Sequence, residues 1–146
     1  EADLGSLPPV DLARSVPEGI ATAERFEHEV RLSAGFLLEH MRGDSPPDAI
    51  MTISDSEHYE AAAACEMLGV KPQQDVTIVG YDNYWREADG AILRPDLPGP
   101  AATIDKHNAQ IGRALIELLR QRIDGELGDE PEHRVVDPEL IIPETN

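Results

Sequence analysis

The segment PPDAIMTISDSEHYEAAAACEMLGVKPQQDVTIVGYDN, residues 46–83, decides the architecture. The apolar run from Ala49 to Ile53 has the length of a short strand. A polar turn with Ser54 and Asp55 follows, then an alanine-rich stretch from about Ser56 to Leu68 whose composition predicts a helix. Gly69 supplies the left-handed position that closes a helix, and Val76 to Tyr81 is a second run rich in β-branched residues. Strand, helix and strand in that order require a right-handed crossover and place the two strands in parallel. Both strands then release polar side chains at their carboxyl ends: Ser54 and Asp55 from the first, Asp82 and Asn83 from the second. In an open parallel sheet, that rim is where small molecules bind.

Outward from this unit, Pro8, Pro9 and Pro17 break any long helix in residues 1–23. From about Glu24 to Arg42, Phe26, Val30, Leu37 and Met41 recur at helical spacing, and Gly43 with Pro46 and Pro47 ends the helix. Residues 84–101 read as a long loop, and Ala102 to Ile104 as a brief strand. A strongly amphipathic helix runs from about Asn108 to Ile123, with Ile111, Leu115, Leu118, Leu119 and Ile123 on one face and Gly125 at its end. An acidic linker, residues 125–132, precedes a last strand near Arg134 to Ile142.

The 146 residues fit one domain of modest core, α/β in class with a parallel sheet. Aromatics are only 4%, so aliphatic side chains carry the packing. Twelve Lys and Arg against twenty-nine Asp and Glu give a net charge of −17, which repels phosphate backbones and anionic lipid. The lone Cys65 excludes an internal disulfide framework and reads as a small buried thiol. No run approaches the roughly 20 apolar residues of a membrane span, no signal sequence opens the chain, and a cytoplasmic protein without membrane partners is the expectation. The first residue is Glu and the opening has loop character, which suggests an excised fragment.

Carboxylates accept paired hydroxyls, and Ser or Asn both donate and accept, so the rim suits a sugar, polyol or nucleobase. Asp55 falls where a helix N-cap is expected, and capping is preferred there over ligand contact. Asp82 has no helix to cap, and ligand contact is the preferred reading. Trp85, the only tryptophan, could stack on a sugar's apolar face or pack in a loop. The five histidines lack metal-ligand spacing, and nucleophile-elbow, phosphate-loop and dinucleotide motifs are absent, so no cofactor, metal or catalytic set is called for. An enzyme reading would rest on Asp55 and Asp82 as a carboxylate pair.

Several pieces, in order, resemble the effector-binding domain of LacI/GalR-type transcriptional regulators. They are Pro47-Asp48-Ala49-Ile50, Ser54-Asp55, Leu68-Gly69-Val70 with Pro72, Asp75 through Asn83, Thr103-Ile104-Asp105, Ile111-Gly112-Arg113-Ala114, Arg122 to Gly125 and Pro138 to Glu144. The resemblance covers most of residues 30–144. It implies a periplasmic-binding-protein-like lobe of three αβα layers, incomplete as given, with an effector in the cleft between two lobes. It implies sugar or polyol sensing, homodimerisation, and operator binding through a DNA-binding domain outside this chain. The family's ligand contacts map onto Ser54, Asp82, Lys106 and Val30, the last replacing an aromatic. The division it implies gives 1–104 and 133–146 to the C-terminal lobe and 105–132 to a helix of the N-terminal lobe. The helix after Ser54-Asp55 would carry the dimer contact, and Tyr59, Ala63 and Met67 form a stripe there that burial within the chain explains equally well.

Residues 84–100 are longer than the family's usual connection, and Ala101-Ala102-Thr103 departs from its crossover pattern. A sheet lacking its opening strand predicts either association with another copy or a substantially exposed helix 108–123. Two other readings stay open at this point: a sugar-binding component of a transporter, and a sugar hydrolase or isomerase.

Overall fold

The computed structural model describes residues 21–144, so the reading of residues 1–20 lies outside the described residues. Eight elements follow one another: α1 (Thr22–Arg42), β1 (Ala49–Met51), α2 (Asp55–Met67), β2 (Thr77–Val79), α3 (Asp89–Leu93), β3 (Thr103–Asp105), α4 (Asn108–Ile123) and β4 (Glu139–Ile141). The strands are shorter than the apolar runs that encode them, because Thr52 and Ile53 already turn toward α2.

β1 and β2 are parallel, in the register Ala49 to Thr77 and Met51 to Val79, as the crossover requires. β3 and β4 pair antiparallel. Backbone bonds join the two ladders: Ala101 N–H donates to Ile78 O at 2.9 Å, Gly80 N–H to Ala102 O at 2.9 Å, and Asp82 N–H to Ile104 O at 2.9 Å. These bonds climb both segments in the same direction, so the run into β3 lies parallel beside β2. The order in space is therefore β1, β2, β3, β4.

The core forms where α1 and α2 meet the sheet. Phe26, Val30 and Ala34 of α1, Ala61 to Cys65 of α2 and Ile78 of β2 are all buried. Ile78 is fully covered, worth about 2–3 kcal/mol of apolar transfer. Alanines let α1 approach α2 closely, and the buried Cys65 thiol is pushed up to about 11 by desolvation. Ser54 occupies the N-cap position of α2 with extended backbone (φ −150°, ψ 160°) but no side-chain cap bond, and Asp55 and Glu57 in the first turn complement the helix dipole. Gly69 closes it at φ 80°, with Val70 N–H returning to Cys65 O at 2.9 Å.

The expected loop 84–101 contains a helix, α3, too short for periodicity to reveal. Gly90 packs on Tyr59 so closely that a Cβ there would lie 2.3 Å from the Tyr59 Cβ. α4 is different: it spans the residues expected of it but buries none of them. Leu115 is 61% exposed and Ile123 75%, and a groove of about 440 Å³ runs between the helix and residues 132–136. An exposed helix 108–123 is one of the two outcomes expected above. Among the described residues, no helix is long and apolar enough to cross a membrane.

Candidate functional site

Parallel pairing brings both strand ends to one rim: Asp55 N–H donates to Tyr81 O at 2.8 Å, so the Ser54–Asp55 turn abuts the Tyr81–Asn83 turn. The latter turn is strained. Asp82 has φ 100° and Asn83 φ 54°, two successive non-glycine residues in left-handed territory. Three tethers hold it against the crossover after β3. They are Asp82 N–H to Ile104 O, Asn83 N–H to Thr103 Oγ1 at 3.2 Å, and Asn83 Nδ2 to Asp105 Oδ2 at 3.0 Å. The crossover is itself bent, with His107 at φ 56° and its N–H donating to Asp105 Oδ1 at 2.7 Å. That donor, followed by Asn83, holds the Asp105 carboxyl below its ordinary range.

Asp82 is ion-paired with Lys106, whose ammonium also lies 5.1 Å from the centre of the Tyr81 ring. The carboxylate partner raises the Lys106 pKa. Asp82 and Lys106, expected near one another only through the family pattern, are thus brought into contact. Ser54 sits on the same rim but looks elsewhere. It lines a polar pocket of about 240 Å³ under the start of α1, with Arg25, Glu29, Glu57 and Glu60, and Asp82 is not part of that lining. In this pocket Glu60 is pushed up to about 9, first by burial and then by its hydrogen bond with Glu29.

Asp55 does not take the helix-cap position. Ser54 takes the capping position, and Asp55, fully buried, accepts from Thr103 Oγ1 at 2.9 Å and from Tyr84 N–H at 2.8 Å. A Cβ at Gly80 would come 1.9 Å from Asp55 Oδ1, so only glycine lets β2 pass this carboxylate. Asp55 is therefore the internal tie between α2, the β2 turn and β3. Val30 is likewise removed from ligand contact: at 6% exposure it packs in the core. The Trp85 ring already has Gly99 against it and the Arg86 guanidinium 4.6 Å from its centre, so loop packing occupies much of it. The stripe on α2 divides too. Tyr59 and Ala63 are buried within the chain, leaving only Met67, 59% exposed, for an outside contact.

Two groups went unread in the sequence. Thr103 anchors Asp55, and no pattern joins residues so far apart in the chain. His58 is fully buried beside Tyr59, with Nε2 2.9 Å from Pro98 O and Nδ1 without a hydrogen-bond partner; burial lowers its pKa.

The profile of the periplasmic binding protein-like domain matches residues 10–145. The chain is 30% identical over 98 residues to the HTH-type transcriptional repressor PurR of Photobacterium profundum, covering 66% of this chain and 26% of that protein. A regulatory protein of the LacI family from Chloroflexus aggregans superimposes with a TM-score of 0.61 at 27% identity, over 88% of this chain and 44% of that one. A LacI family transcriptional regulator from Arthrobacter sp. FB24, solved in complex with lactose, gives a TM-score of 0.54 at 26% identity, over 81% of this chain and 42% of that one. The chain thus spans about a quarter of the curated repressor it matches and under half of these solved structures. With a parallel sheet, a polar strand-end rim and a profile match across nearly its whole length, the chain belongs to the periplasmic-binding-protein-like family, as part of a LacI/GalR-type effector-binding domain.

Proposed function

We propose that this chain is the C-terminal part of the sensing domain of a cytoplasmic transcriptional repressor. It binds a sugar or related polyol without chemical turnover. The observation that carries this reading is Asp82, a partly exposed carboxylate held in a left-handed turn at the end of β2, across from the crossover that leads into α4. Strain of that kind persists where the surroundings over-determine it, and it concentrates at ligand clamps. A carboxylate there accepts a ligand hydroxyl through the oxygen that Lys106 does not hold, whereas Ser54, on the same rim, faces a separate polar pocket. The lactose bound to the Arthrobacter relative supports a sugar as the class of ligand.

The exposed apolar face of α4 supports the second part of the proposal, that residues 105–132 belong to the N-terminal lobe. Ligand in the cleft would then bias lobe closure, and closure would alter operator affinity through a DNA-binding domain elsewhere in the protein. The functional unit is a homodimer, with Met67 on the outer face of α2 as a contact. Among the described residues, the hydroxyl that meets a carboxylate beside the rim, Thr103 on Asp55, is buried as a structural tie, which favours a binder over a hydrolase.

In the intact protein, a binding sugar from a panel including lactose, cellobiose and D-ribose raises the melting temperature, and Asp82→Ala abolishes that rise. An unchanged rise in the variant would remove Asp82 from the site.

A further inference from the structure

We propose that Lys106 is the positioning residue for the ligand-accepting carboxylate: it holds Asp82 Oδ1 and leaves Oδ2 as the acceptor offered to a ligand hydroxyl. The inference rests on the reading of Asp82 as a ligand contact. The family pattern places Lys106 among the residues that touch the ligand; the geometry gives it a different task.

The two oxygens of Asp82 stand in unlike surroundings. Oδ1 is sealed from solvent, and the group against it is the Lys106 ammonium. The side chain as a whole nevertheless keeps 21% exposure, and that exposure falls on atoms other than Oδ1. A carboxylate has about four lone-pair sites, so pairing through one oxygen leaves the other free to accept. A carboxylate oxygen sealed from water and left without a cation is desolvated with nothing in return, which favours swinging the side chain outward and losing its aim.

Lys106 is itself well placed to serve as an anchor. Its neighbours are fixed on both sides, Asp105 by Asn83 Nδ2 and His107 by the Asp105 carboxylate. Its ammonium is steadied by the Tyr81 ring at 5.1 Å, a cation–π distance. The ring, the carboxylate and the tethering Asn83 come from one turn, while Lys106 comes from the segment entering α4. The Asp82–Lys106 pair therefore joins the ligand acceptor directly to the crossover, and a ligand that tightens on Asp82 pulls on that connection.

The test is a double-mutant cycle in the full-length protein, with lactose, cellobiose and D-ribose as probes in calorimetric titration. Lys106→Met weakens the dissociation constant roughly tenfold, as expected when a charge-assisted anchor is lost, and Lys106→Arg restores it to within about threefold. In an Asp82→Asn background, Lys106→Met causes no further loss. Equal or tighter binding by Lys106→Met overturns the proposal. So does a full further loss in the Asp82→Asn background, which would make Lys106 an independent ligand contact. A ligand-free readout stands beside these: the side-chain carboxyl carbon-13 resonance of Asp82 moves in Lys106→Met and returns in Lys106→Arg. An identical resonance in all three proteins also overturns the proposal. If none of the three sugars binds the unaltered protein, the sugar reading fails, and the carboxyl resonance alone decides whether Lys106 positions Asp82.

Discussion

α1 and α4 are both amphipathic helices, of 21 and 16 residues, each with basic residues in its last turn. One is built into the molecule and the other lies on it. α1 buries Phe26, Val30, Ser33 and Ala34 against α2, whereas α4 buries nothing, and Ile116 and Leu119 remain 69% and 60% exposed. The helical period writes a face into the sequence but not the partner of that face. Each large aliphatic on α4 withholds about 1.5–3 kcal/mol that burial would release, which is what the proposed docking on the N-terminal lobe would recover.

The sharpest way to break this contrast is to truncate one side chain from each region. In the 146-residue chain, Ile78→Ala costs about 3–4 kcal/mol, as removal of a fully buried aliphatic does. Leu119→Ala costs less than about 0.5 kcal/mol, within the range of surface substitutions. Urea titration of both variants reads these values directly. In the full-length protein, Leu119→Ala rises to about 2–4 kcal/mol if α4 docks on the N-terminal lobe. Comparable costs for both variants in the short chain, deepening with protein concentration, would instead mean that a second copy covers α4.

A smaller effect isolates the polar tie that holds the packed region in register. Thr103→Val keeps the shape of the side chain but removes the hydroxyl that donates to buried Asp55. Leaving a buried carboxylate short of a donor costs about 2–3 kcal/mol. Thr103→Ser keeps the hydroxyl and recovers most of that loss in thermal unfolding. If Thr103→Val melts with the unaltered chain, Asp55 is satisfied by other donors and the tie is weaker than its geometry.

These same residues show what the sequence could and could not disclose. The β1–α2–β2 unit was legible because each local signal agreed: apolar runs of strand length, alanines between them, and Gly69 where a left-handed residue was needed. α3 was missed because five residues, Asp89–Leu93, are too few to show a period. Asp55 was misplaced by one helix position, since either residue of Ser54-Asp55 can cap and only the backbone angles decide. Its true partner, Thr103, comes from another strand and leaves no local trace. The stripe Tyr59, Ala63 and Met67 shared a helix face by spacing, yet close approach of Gly90 to Tyr59 took part of that face inward. The Asp82-Asn83 turn was the more readable feature, because Asp and Asn tolerate left-handed backbone better than other side-chain-bearing residues.

The smallest expected effect separates the two regions by pH. Glu60 of α2 is pushed up to about 9 where it meets Glu29 of α1, against an ordinary value of 4.5. The folded chain therefore holds a proton that the unfolded chain releases, and this stabilisation is full below pH 4.5 and fades as pH rises toward 9. His58 works in the opposite sense. Its pKa is lowered from 6.5 chiefly by burial, so the unfolded chain binds the proton first and stability falls as pH drops below 6.5. Between pH 6.5 and 9 the Glu60 contribution governs. Glu60→Gln, which keeps a donor for Glu29 without the ionisation, flattens that limb and raises the melting temperature at pH 8 by roughly 3–5 °C. Hydrogen exchange locates the change: alkaline pH loosens α1 against α2 in the unaltered chain, once the intrinsic rate is divided out, while protection in α4 stays the same. Parallel melting curves for the two proteins across this range would show that the acid pair does not hold α1 in place.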